Sequence, residues 1–332
     1  MTRRVRLLPT AAAATLAVAV VSVGVLLGAG RPVTAGLTRR GVSPDHPVAL
    51  VGGPDSRIVG PDDLTVGDGN PWQFFQFLVK LMRVDVVRGV EDVNLVCGGA
   101  LLRPNKVLTA AHCIGGTRGV RVGDAVQVGG LTIGSGFTAF ISEVAIHPRY
   151  TDSEQGFDMA VLTIGNPPTT ALYNTGNVRK AGVNKEAAAL AATTPLTIAG
   201  WGNVSGRGGR TLSTTLRQVA SRTTDWAACR ADADRNAGSL PANAEDLLVC
   251  ASSAGATSTC AGDSGSPLFL RSRGAGSDRP TVKVVGVMSF GYGSPLDACP
   301  PGSPSFYTRV DTNVDWIFSH LDGGWRGWER AP

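Results

Sequence analysis

Short apolar runs rich in β-branched residues, each bounded by glycine or proline, restrict most strongly how this chain can fold. Runs with this punctuation are typical of strands in an all-β barrel or sandwich. They recur at Lys106–Thr109, Val120–Val128, Met159–Ile164, Leu196–Ala199, Thr281–Met288 and Phe306–Val310. Hydrophobic residues make up 43% of the 332 residues, which is enough for a buried core, so the composition excludes a disordered chain.

One helix is predicted near the C-terminal end of the chain. Asp311 or Thr312 is the expected cap of this helix. Val314, Ile317 and Leu321 then recur at the spacing of a single helical face. The sequence therefore predicts a mainly β protein that ends in a helix.

The positive charge of the chain is concentrated in its first 57 residues. That segment has seven arginines, no lysine and two aspartates, which accounts for the whole formal net charge of +5. The rest of the chain therefore has equal numbers of basic and acidic side chains. A neutral body offers no basic surface to phosphate groups, so we expect no nucleic-acid partner.

The N-terminal segment has the pattern of an export signal. Three arginines within the first six residues precede an apolar stretch at residues 11–29, and Val33-Thr34-Ala35 places small residues before a cleavage point after Ala35. The alternative is an uncleaved membrane anchor through residues 11–29, because this stretch just reaches spanning length. In both cases the bulk of the chain is exported, and we expect a secreted, extracellular protein.

The six cysteines agree with export into an oxidising compartment. Their number is even and no C-x-x-C pair occurs, so disulfides are the expected use. Six cysteines allow many pairings, and their spacing alone does not choose one. A metal site would need closely spaced Cys and His ligands, and only Cys113 has a neighbouring histidine, His112. We therefore expect neither a metal nor another cofactor.

Four short segments point together to one chemistry. His112 follows an apolar run in the segment TAAHC, Asp158 begins the segment DMAVL, and Ser264 lies between glycines in GDSGSP. A fourth segment, RIVG, begins at Arg57 and joins a basic residue to a branched apolar pair. Each segment alone has an ordinary structural explanation; a D-S-G sequence, for example, is a common turn. Their conjunction, their cysteine flanks and the order His, Asp, Ser indicate nucleophilic catalysis by a serine.

With these segments, residues 58–320 resemble the trypsin/chymotrypsin-type (S1) serine proteases. The segments AGWG and SFG, which end at Gly202 and Gly291, add to the resemblance. The order His, Asp, Ser belongs to this family and differs from that of subtilisins and α/β-hydrolases. The resemblance implies an all-β fold of two packed antiparallel six-stranded β-barrels with a C-terminal helix, and an active site in the cleft between the barrels.

The resemblance also implies the role of each catalytic residue. Ser264 is the nucleophile, and His112 takes its proton, because a serine hydroxyl is a weak nucleophile at neutral pH. Asp158 holds the imidazole in the required tautomer. The N–H groups of Gly262 and Ser264 form the oxyanion hole. The disulfides are implied in sequential pairs, Cys97–Cys113, Cys229–Cys250 and Cys260–Cys299.

The Arg57–Ile58 bond resembles the activation site of a zymogen. Cleavage gives Ile58 a new α-amino group, which in this family inserts beside the acid that precedes the nucleophile, here Asp263. The resulting ion pair orders the oxyanion loop. The chain then divides into a signal peptide, a propeptide, a protease domain and a C-terminal tail, at residues 1–35, 36–57, 58–320 and 321–332.

The resemblance places Ser258 at the base of the substrate pocket, where trypsin-like members carry an aspartate. A neutral base would leave the charge of a basic P1 side chain buried and unpaired, which is costly. We therefore expect cleavage after neutral, mostly apolar residues of medium or large size. The alternative is a basic preference supplied by Asp297. The expected pocket residues are Ser258, Ser289, Phe290, Gly291 and Ser305.

These inferences together predict a monomeric, secreted serine endopeptidase made as a zymogen. Its expected partners are polypeptide substrates, an activating protease and protein protease inhibitors. One alternative is a protease-like binding protein without catalytic activity. A second is an esterase that uses the same triad, and turnover of peptides against esters would tell the two enzymes apart.

Overall fold

The computed structural model describes residues 74–88, 90–168, 172–173, 178–186, 190, 194–204, 211–236, 238, 240–253, 257–273, 280–293, 299–300 and 302–321. The predicted signal peptide and propeptide, and all of the predicted tail after Leu321, lie outside these residues. Within the described part, no helix is long and apolar enough to span a membrane.

The described residues form β-strands with a few short helices. The strands are β1 Leu78–Val87, β2 Val90–Arg103, β3 Lys106–Thr109, β4 Ala125–Val128, β5 Phe137–Ile146, β6 Ala160–Gly165, β7 Gly182–Val183, β8 Pro195–Gly200, β9 Arg217–Thr223, β10 Leu248–Ser253, β11 Pro267–Arg273, β12 Pro280–Gly291 and β13 Ser305–Arg309. The α-helices are α1 Trp226–Arg235, α2 Ala244–Leu247 and α3 Val314–Leu321. Two 3-10 turns lie at Ala111–Cys113 and Asp311–Asn313.

The first six strands close into a barrel in the order β1-β2-β3-β6-β5-β4. All neighbouring pairs are antiparallel, and β4 closes the ring on β1. Strands β3 and β4 are buried at every position. In β5 the side chains alternate, so Ala139 and Ile141 point into the core while Phe140 is exposed.

The second barrel is formed by β8 to β13. Its ring runs β11-β8-β9-β10-β13-β12 and closes through the antiparallel pairing of β11 with β12. The short strand β7 adds to the outside of β12 in parallel. The core of this barrel includes Ile198, Val285 and Tyr307. The fold predicted from the sequence, two six-stranded antiparallel barrels and a C-terminal helix, is confirmed.

An aromatic cluster joins the cores of the two barrels. The ring of Phe269 on β11 receives edge-on contacts from Phe75 and Phe77, with centroid distances of 6.0 and 5.1 Å. All three side chains are buried. Burial of aromatic surface in edge-to-face pairs therefore contributes directly to holding the barrels together.

Two local predictions need correction. The strand expected at Val120–Val128 begins only at Ala125, because Gly123 turns the chain with a φ of +94°. The C-terminal helix is not capped by the side chain of Asp311 or Thr312. Instead Asp311 begins a 3-10 turn that leads into α3, and its carboxylate binds the guanidinium of Arg309 through two hydrogen bonds of 3.0 and 2.6 Å.

All six cysteines form disulfides, in the three sequential pairs that the resemblance implied. Cys97–Cys113 joins β2 to the turn after β3, within the first barrel. Cys229–Cys250 joins α1 to β10, and Cys260–Cys299 joins the segment before β11 to the segment after β12. Each disulfide thus links parts of the same half of the molecule.

Candidate active site

His112 lies on the 3-10 turn that follows β3. The disulfide to Cys97 fixes one side of this turn. Just before the turn, the hydroxyl of Thr109 donates a 2.8 Å hydrogen bond to the carbonyl of Gly98 on β2. The His112 side chain is 27% exposed. The turn that carries the imidazole is therefore fixed against β2, and the imidazole itself remains partly accessible to solvent.

The carboxylate of Asp158, which is fully buried, orients this imidazole. Its Oδ2 lies 2.7 Å from His112 Nδ1, and its Oδ1 accepts the backbone N–H of His112 at 2.9 Å. The hydroxyl of Ser289 donates to Oδ2 at 2.5 Å. An acceptor at Nδ1 fixes the tautomer that carries its proton there. Nε2 of His112 is then the nitrogen that can accept a proton.

The same contacts keep Asp158 ionised. Burial alone would raise the pKa of this carboxyl, but the hydrogen bonds and charge of His112, together with the bond from Ser289, hold the pKa of Asp158 below its usual range. The ionised carboxylate lies 2.7 Å from His112 Nδ1 and can accept the proton of that nitrogen as a hydrogen bond. The pair is thus arranged for a histidine that acts as a base.

A tight, strained turn presents Asp158 to His112. Phe157 has a φ of +59°, a region that residues with a bulky side chain rarely adopt, and its carbonyl accepts the N–H of Met159 at 2.7 Å. The Phe157 ring stacks on His147 with centroids 5.0 Å apart, and the Arg149 guanidinium lies 3.9 Å from its centroid. This packing holds the strained backbone in place.

Ser264 lies in a loop that is tethered on both sides. Its carbonyl accepts the N–H of Gly98 at 2.8 Å, which links the loop to the first barrel. The next residue, Gly265, donates its N–H to the carbonyl of Met288 at 2.8 Å, which links the loop to β12. The position of Ser264 therefore depends on contacts with both barrels.

The serine loop touches the turn that carries His112. A Cβ atom at Gly265 would lie 2.3 Å from the Thr109 hydroxyl and 3.2 Å from the backbone nitrogen of Ala110, so only glycine fits there. The structure does not place the Ser264 hydroxyl within hydrogen-bond distance of His112. In unliganded active sites this bond is often long and shortens when substrate binds.

Two backbone N–H donors lie close together in this loop, one on Gly262 and one on Ser264 itself. Gly262 has a φ of +99°, and a Cβ there would lie 2.9 Å from the Leu212 side chain, so glycine is required for this loop path. Among the described residues, no backbone carbonyl accepts the N–H of Gly262 or of Ser264. Two free N–H groups beside a serine are suited to binding a developing oxyanion.

Asp263, between these donors, points away from the cleft and is completely buried. Its carboxylate accepts the N–H of Gly202 at 2.9 Å and that of Cys260 at 3.0 Å. Burial raises the pKa of Asp263 to about 7, although both hydrogen bonds favour the ionised form. Within the described part of the chain no cationic side chain forms an ion pair with it.

A cavity of about 250 Å³ opens beside Ser264 in the second barrel. Ser258 and Thr259 lie at its buried end, where the Thr259 hydroxyl forms a 2.6 Å hydrogen bond with the hydroxyl of Ser305. The described lining residues carry no charged side chain. Asp297, the proposed source of a basic preference, lies outside the described residues.

Aromatic side chains support one wall of this cavity. Phe290 stacks on Phe306 with centroids 4.7 Å apart and ring planes 4° from parallel. Tyr292 contacts both rings edge-on at centroid distances of 5.6 Å. Gly291 lies between the two wall residues and leaves the cavity open at that position, because it has no side chain.

One group of metal-ligating residue types lies next to the site. Sulfur and nitrogen atoms of Cys97, His112 and Cys113 lie within 4.8 Å of one another. Metal binding by cysteine requires the thiolate. Both sulfurs are consumed by the Cys97–Cys113 disulfide, so this group does not offer a metal site.

Comparison with known protein families gives a match to the trypsin family model over residues 70–317. The chain belongs to the trypsin family. Among curated proteins, a trypsin from Saccharopolyspora erythraea is 32% identical over 272 residues, which cover 80% of this chain and 99% of that protein. Dog chymotrypsin-like elastase family member 1 is 32% identical over 223 residues, covering 67% of this chain and 79% of that protein.

Two further comparisons agree with this assignment. Bovine chymotrypsin-C is 28% identical over 273 residues, covering 80% of this chain and 89% of that protein. Among solved structures, neuropsin, a serine protease expressed in the mouse brain, matches with a TM-score of 0.57 and 22% identity, over 81% of this chain and 99% of neuropsin. The neuropsin match supports the fold.

The structure brings most of the residues singled out in the sequence into one region. His112, Asp158 and Ser289 form a hydrogen-bonded chain, and Ser264 lies in a loop against the His112 turn. The five expected pocket residues line one cavity with Ser264. Arg57 and Ile58, expected at the activation site, lie outside the described residues.

Sequence reasoning missed three residues that support this trypsin-family site. Thr308 donates its hydroxyl to the carbonyl of Asp158 at 3.1 Å, and nothing in its sequence context signals that contact. Thr259 forms part of the pocket base, which its position next to Ser258 could have indicated. Phe157 directly precedes Asp158, but its left-handed backbone has no sequence signal in a residue other than glycine.

Proposed function

We propose that this trypsin-family chain is a secreted serine endopeptidase that cleaves peptide bonds through His112, Asp158 and Ser264. The observation that carries the proposal is the short contact between His112 Nδ1 and the buried Asp158 carboxylate, next to a serine loop with two free N–H donors. A base held by an anion, a nucleophile and oxyanion donors are the parts that acyl transfer requires.

In the proposed reaction, Nε2 of His112 takes the proton of Ser264 while the serine oxygen attacks the substrate carbonyl. The N–H groups of Gly262 and Ser264 receive the oxyanion, and a donor of this kind is worth about 3–4 kcal/mol to the transition state. Asp158 stabilises the imidazolium, which then gives its proton to the leaving amine. Water, activated by the same histidine, releases the acyl group from Ser264.

We propose that the enzyme is made as a zymogen and activated by cleavage between Arg57 and Ile58. The support is the buried Asp263, whose carboxylate has two N–H partners but no ion-pair partner in the described structure. An ammonium group at the new N-terminus would supply the missing charge. The segment 1–35 then acts as the signal peptide, 36–57 as the propeptide and 58–320 as the protease domain.

For specificity, we propose a preference for neutral, mostly apolar P1 residues. The cavity ends in the hydroxyl groups of Ser258, Thr259 and Ser305, which do not neutralise a buried cation. The hydrogen bond between Thr259 and Ser305 narrows this end. An enzyme with a neutral pocket would accept Arg57 poorly and would cut the Arg57–Ile58 bond slowly, so activation needs a second protease.

A peptide library tests the activity and the specificity together. The full chain cut at Arg57–Ile58 is mixed with an unbiased library, the products are read by mass spectrometry, and a Ser264→Ala variant runs in parallel. Cleavage after Leu, Phe, Tyr or Met that is absent from the variant supports the proposal. Cleavage after Arg or Lys supports the triad but contradicts the neutral pocket, and it identifies Asp297 as the source of a negative charge in the pocket. The absence of cleavage in both samples favours a binding protein without catalytic activity.

A further inference from the structure

Lys80 on β1 is a charged residue that has no exposure to solvent. It lies opposite Gly98 on β2 and opposite Gln127 on β4. Residues directly opposite each other in an antiparallel pair turn their side chains to the same face of the sheet. A Cβ atom at Gly98 would meet the hydroxyl of Ser266, two residues after Ser264. Lys80 therefore lies on the face of the first barrel that the second barrel covers.

The ammonium group of Lys80 is held at three points. Its Nζ donates to the carbonyl of Gly129 at 3.0 Å and to that of Gly130 at 3.2 Å, at the start of the loop between β4 and β5. It also lies 4.6 Å from the ring centroid of Trp201, which directly follows β8 of the second barrel. The face of an indole attracts a cation. Because the same indole donates Nε1–H to the carbonyl of Leu131 at 2.9 Å, Lys80 and the β4–β5 loop together fix its position.

The segment that follows this indole binds the loop that carries the proposed oxyanion donors. Gly202 donates its N–H to the carboxylate of Asp263 at 2.9 Å. Asn203 donates its N–H to the carbonyl of Ala261 at 2.8 Å. The two bonds reach the residues on either side of Gly262, whose N–H is one of the proposed oxyanion donors. The position of that N–H therefore depends on the segment that the indole anchors.

The charge of Lys80 has no counter-ion nearby. Within the described residues no carboxylate forms an ion pair with it. Asp124, just before β4, accepts the backbone N–H groups of Val84 and Arg121 instead. Burying a charge without an opposite charge is costly, and an apolar side chain of similar length would avoid that cost. Packing alone therefore does not account for a lysine at this position.

We propose that Lys80 is a positioning residue for the oxyanion loop, in that its ammonium fixes Trp201 and the segment after Trp201 fixes the N–H of Gly262. The inference rests on the proposed endopeptidase function, because it concerns the support of the proposed oxyanion hole. Lys80 does not touch the substrate and acts through the indole. Donors stabilise an oxyanion most when they are fixed before the reaction begins. Loss of the ammonium should therefore lower kcat and leave KM nearly unchanged.

The protonation state of Lys80 gives this role a pH dependence. Burial lowers the pKa of Lys80 to about 8. The groups packed around the ammonium are neutral: Gly98 on β2, Gln127 on β4, the two glycines of the β4–β5 loop, and Trp201. The ammonium is thus present below about pH 8 and is lost above it. Support of the oxyanion loop should be lost as the pH rises through this value.

Steady-state kinetics of a matched pair of variants test the proposal. Lys80→Met removes the charge and keeps the length of the side chain. Lys106→Met is the control, since Lys106 is also a buried lysine of the first barrel and its Nζ donates to the hydroxyl of Thr163 at 2.8 Å. Each full chain is cut at Arg57–Ile58, and competent sites are counted with a sulfonyl fluoride that reacts with Ser264.

The expected result separates kcat from KM. With a peptide substrate found in the library, Lys80→Met should lower kcat by about tenfold at pH 7, since charge-assisted hydrogen bonds are lost, while KM changes by less than about twofold. The Lys106→Met control should keep its kcat. A fall in kcat of equal size in both variants overturns the proposal, because it would mean that any buried lysine of this barrel has the same effect.

The pH profile distinguishes a positioning charge from a side chain that only fills space. The measured quantity is the ratio of kcat in the chain with Lys80 to kcat in Lys80→Met, from pH 6 to pH 10. The titrations of His112 and of the Ile58 amine are common to both proteins and cancel in this ratio. It should fall from about ten toward one with a midpoint near pH 8.

The other outcomes each overturn a stated claim. A reduced kcat with a constant ratio at every pH overturns the role of the charge. A ratio of one at every pH overturns the role of Lys80 and leaves the endopeptidase in place. Failure of every chain to hydrolyse the peptide overturns the proposed function and this inference with it.

Tryptophan fluorescence keeps the test decisive if Lys80→Met folds poorly. The Ser264→Ala chain, cut at Arg57–Ile58, is titrated from pH 6 to pH 10 while its emission is followed. Loss of the ammonium beside Trp201 should change the emission with a midpoint near pH 8, and Trp201→Phe should abolish that change. Emission that stays constant through pH 8 in the chain with both residues overturns the inference.

Discussion

Replacing Asp263 with asparagine in the uncut chain measures the free-energy cost of its buried carboxylate. Burial raises the pKa of Asp263 from an ordinary value of 3.8 to about 7. The folded state then binds more protons than the unfolded state, so the free energy of unfolding falls as pH rises from about 4 through about 7. At about 1.36 kcal/mol per pH unit, the full loss is about 4 kcal/mol.

The pH dependence of the difference between the two proteins carries the prediction. Between pH 5 and pH 8 the chain with Asp263 should lose about 2–3 kcal/mol relative to Asp263→Asn, because the full slope acts only up to the pKa of the folded state. Asparagine also places an NH₂ or an oxygen against the N–H groups of Gly202 and Cys260. That mismatch costs free energy at every pH and does not alter the difference between two pH values.

Urea unfolding followed by tryptophan fluorescence, at pH 5, 6.5 and 8, provides the assay. Both proteins carry Ser264→Ala so that self-cleavage does not interfere. Parallel stability profiles for the two proteins would refute the reasoning. They would mean that Asp263 in the uncut chain is either exposed to solvent or paired with a cation. After cleavage at Arg57–Ile58 the trend should flatten, because an inserted ammonium lowers the pKa of Asp263.

Three further perturbations follow from the site and its supports. Ser289→Ala removes a hydrogen bond to Asp158 and should lower kcat/KM by roughly tenfold in steady-state kinetics, and an unchanged value would show that this bond does not help orient the carboxylate. Ser305→Gly removes the partner of Thr259 at the pocket base and should shift the Phe-to-Leu ratio of kcat/KM several-fold toward Phe; a shift toward Leu would contradict the pocket geometry. Replacing Cys229 and Cys250 together with alanine opens a loop closed over 21 residues. This change should lower the free energy of unfolding by about 3 kcal/mol in urea titrations. A loss well under about 1 kcal/mol would contradict this expected stabilisation by the disulfide.

Short segments made the fold and the candidate site predictable from the sequence. The residues of TAAHC and GDSGSP each form one local turn, so the conformation of each segment is determined by interactions within a few residues. The strand runs were predictable for a similar reason, since β3 is buried at every position and consists of a continuous, largely apolar run. Features of this kind depend on local spacing.

Contacts that span the chain could not be predicted in the same way. Helix α1 was missed because it buries little, with only Cys229, Asp232 and Ala233 covered, so it shows no apolar stripe. The start of this helix could have been predicted, because Asp225 is a typical N-cap residue. In the structure its carboxylate accepts N–H bonds from the first turn of the helix. The hydroxyl of Thr308 reaches Asp158 across 150 positions, and only the folded chain places the two together.

The proposed catalytic residues of each barrel are held by the other barrel. Asp158 lies just before β6 of the first barrel, and its partners Ser289 and Thr308 belong to the second. Ser264 belongs to the second barrel, and its carbonyl is bound by Gly98 of the first. No disulfide crosses between the barrels, since all six cysteines pair within one half. The proposed activity is therefore a property of the docked pair, and slight separation of two intact barrels should abolish it before either barrel melts.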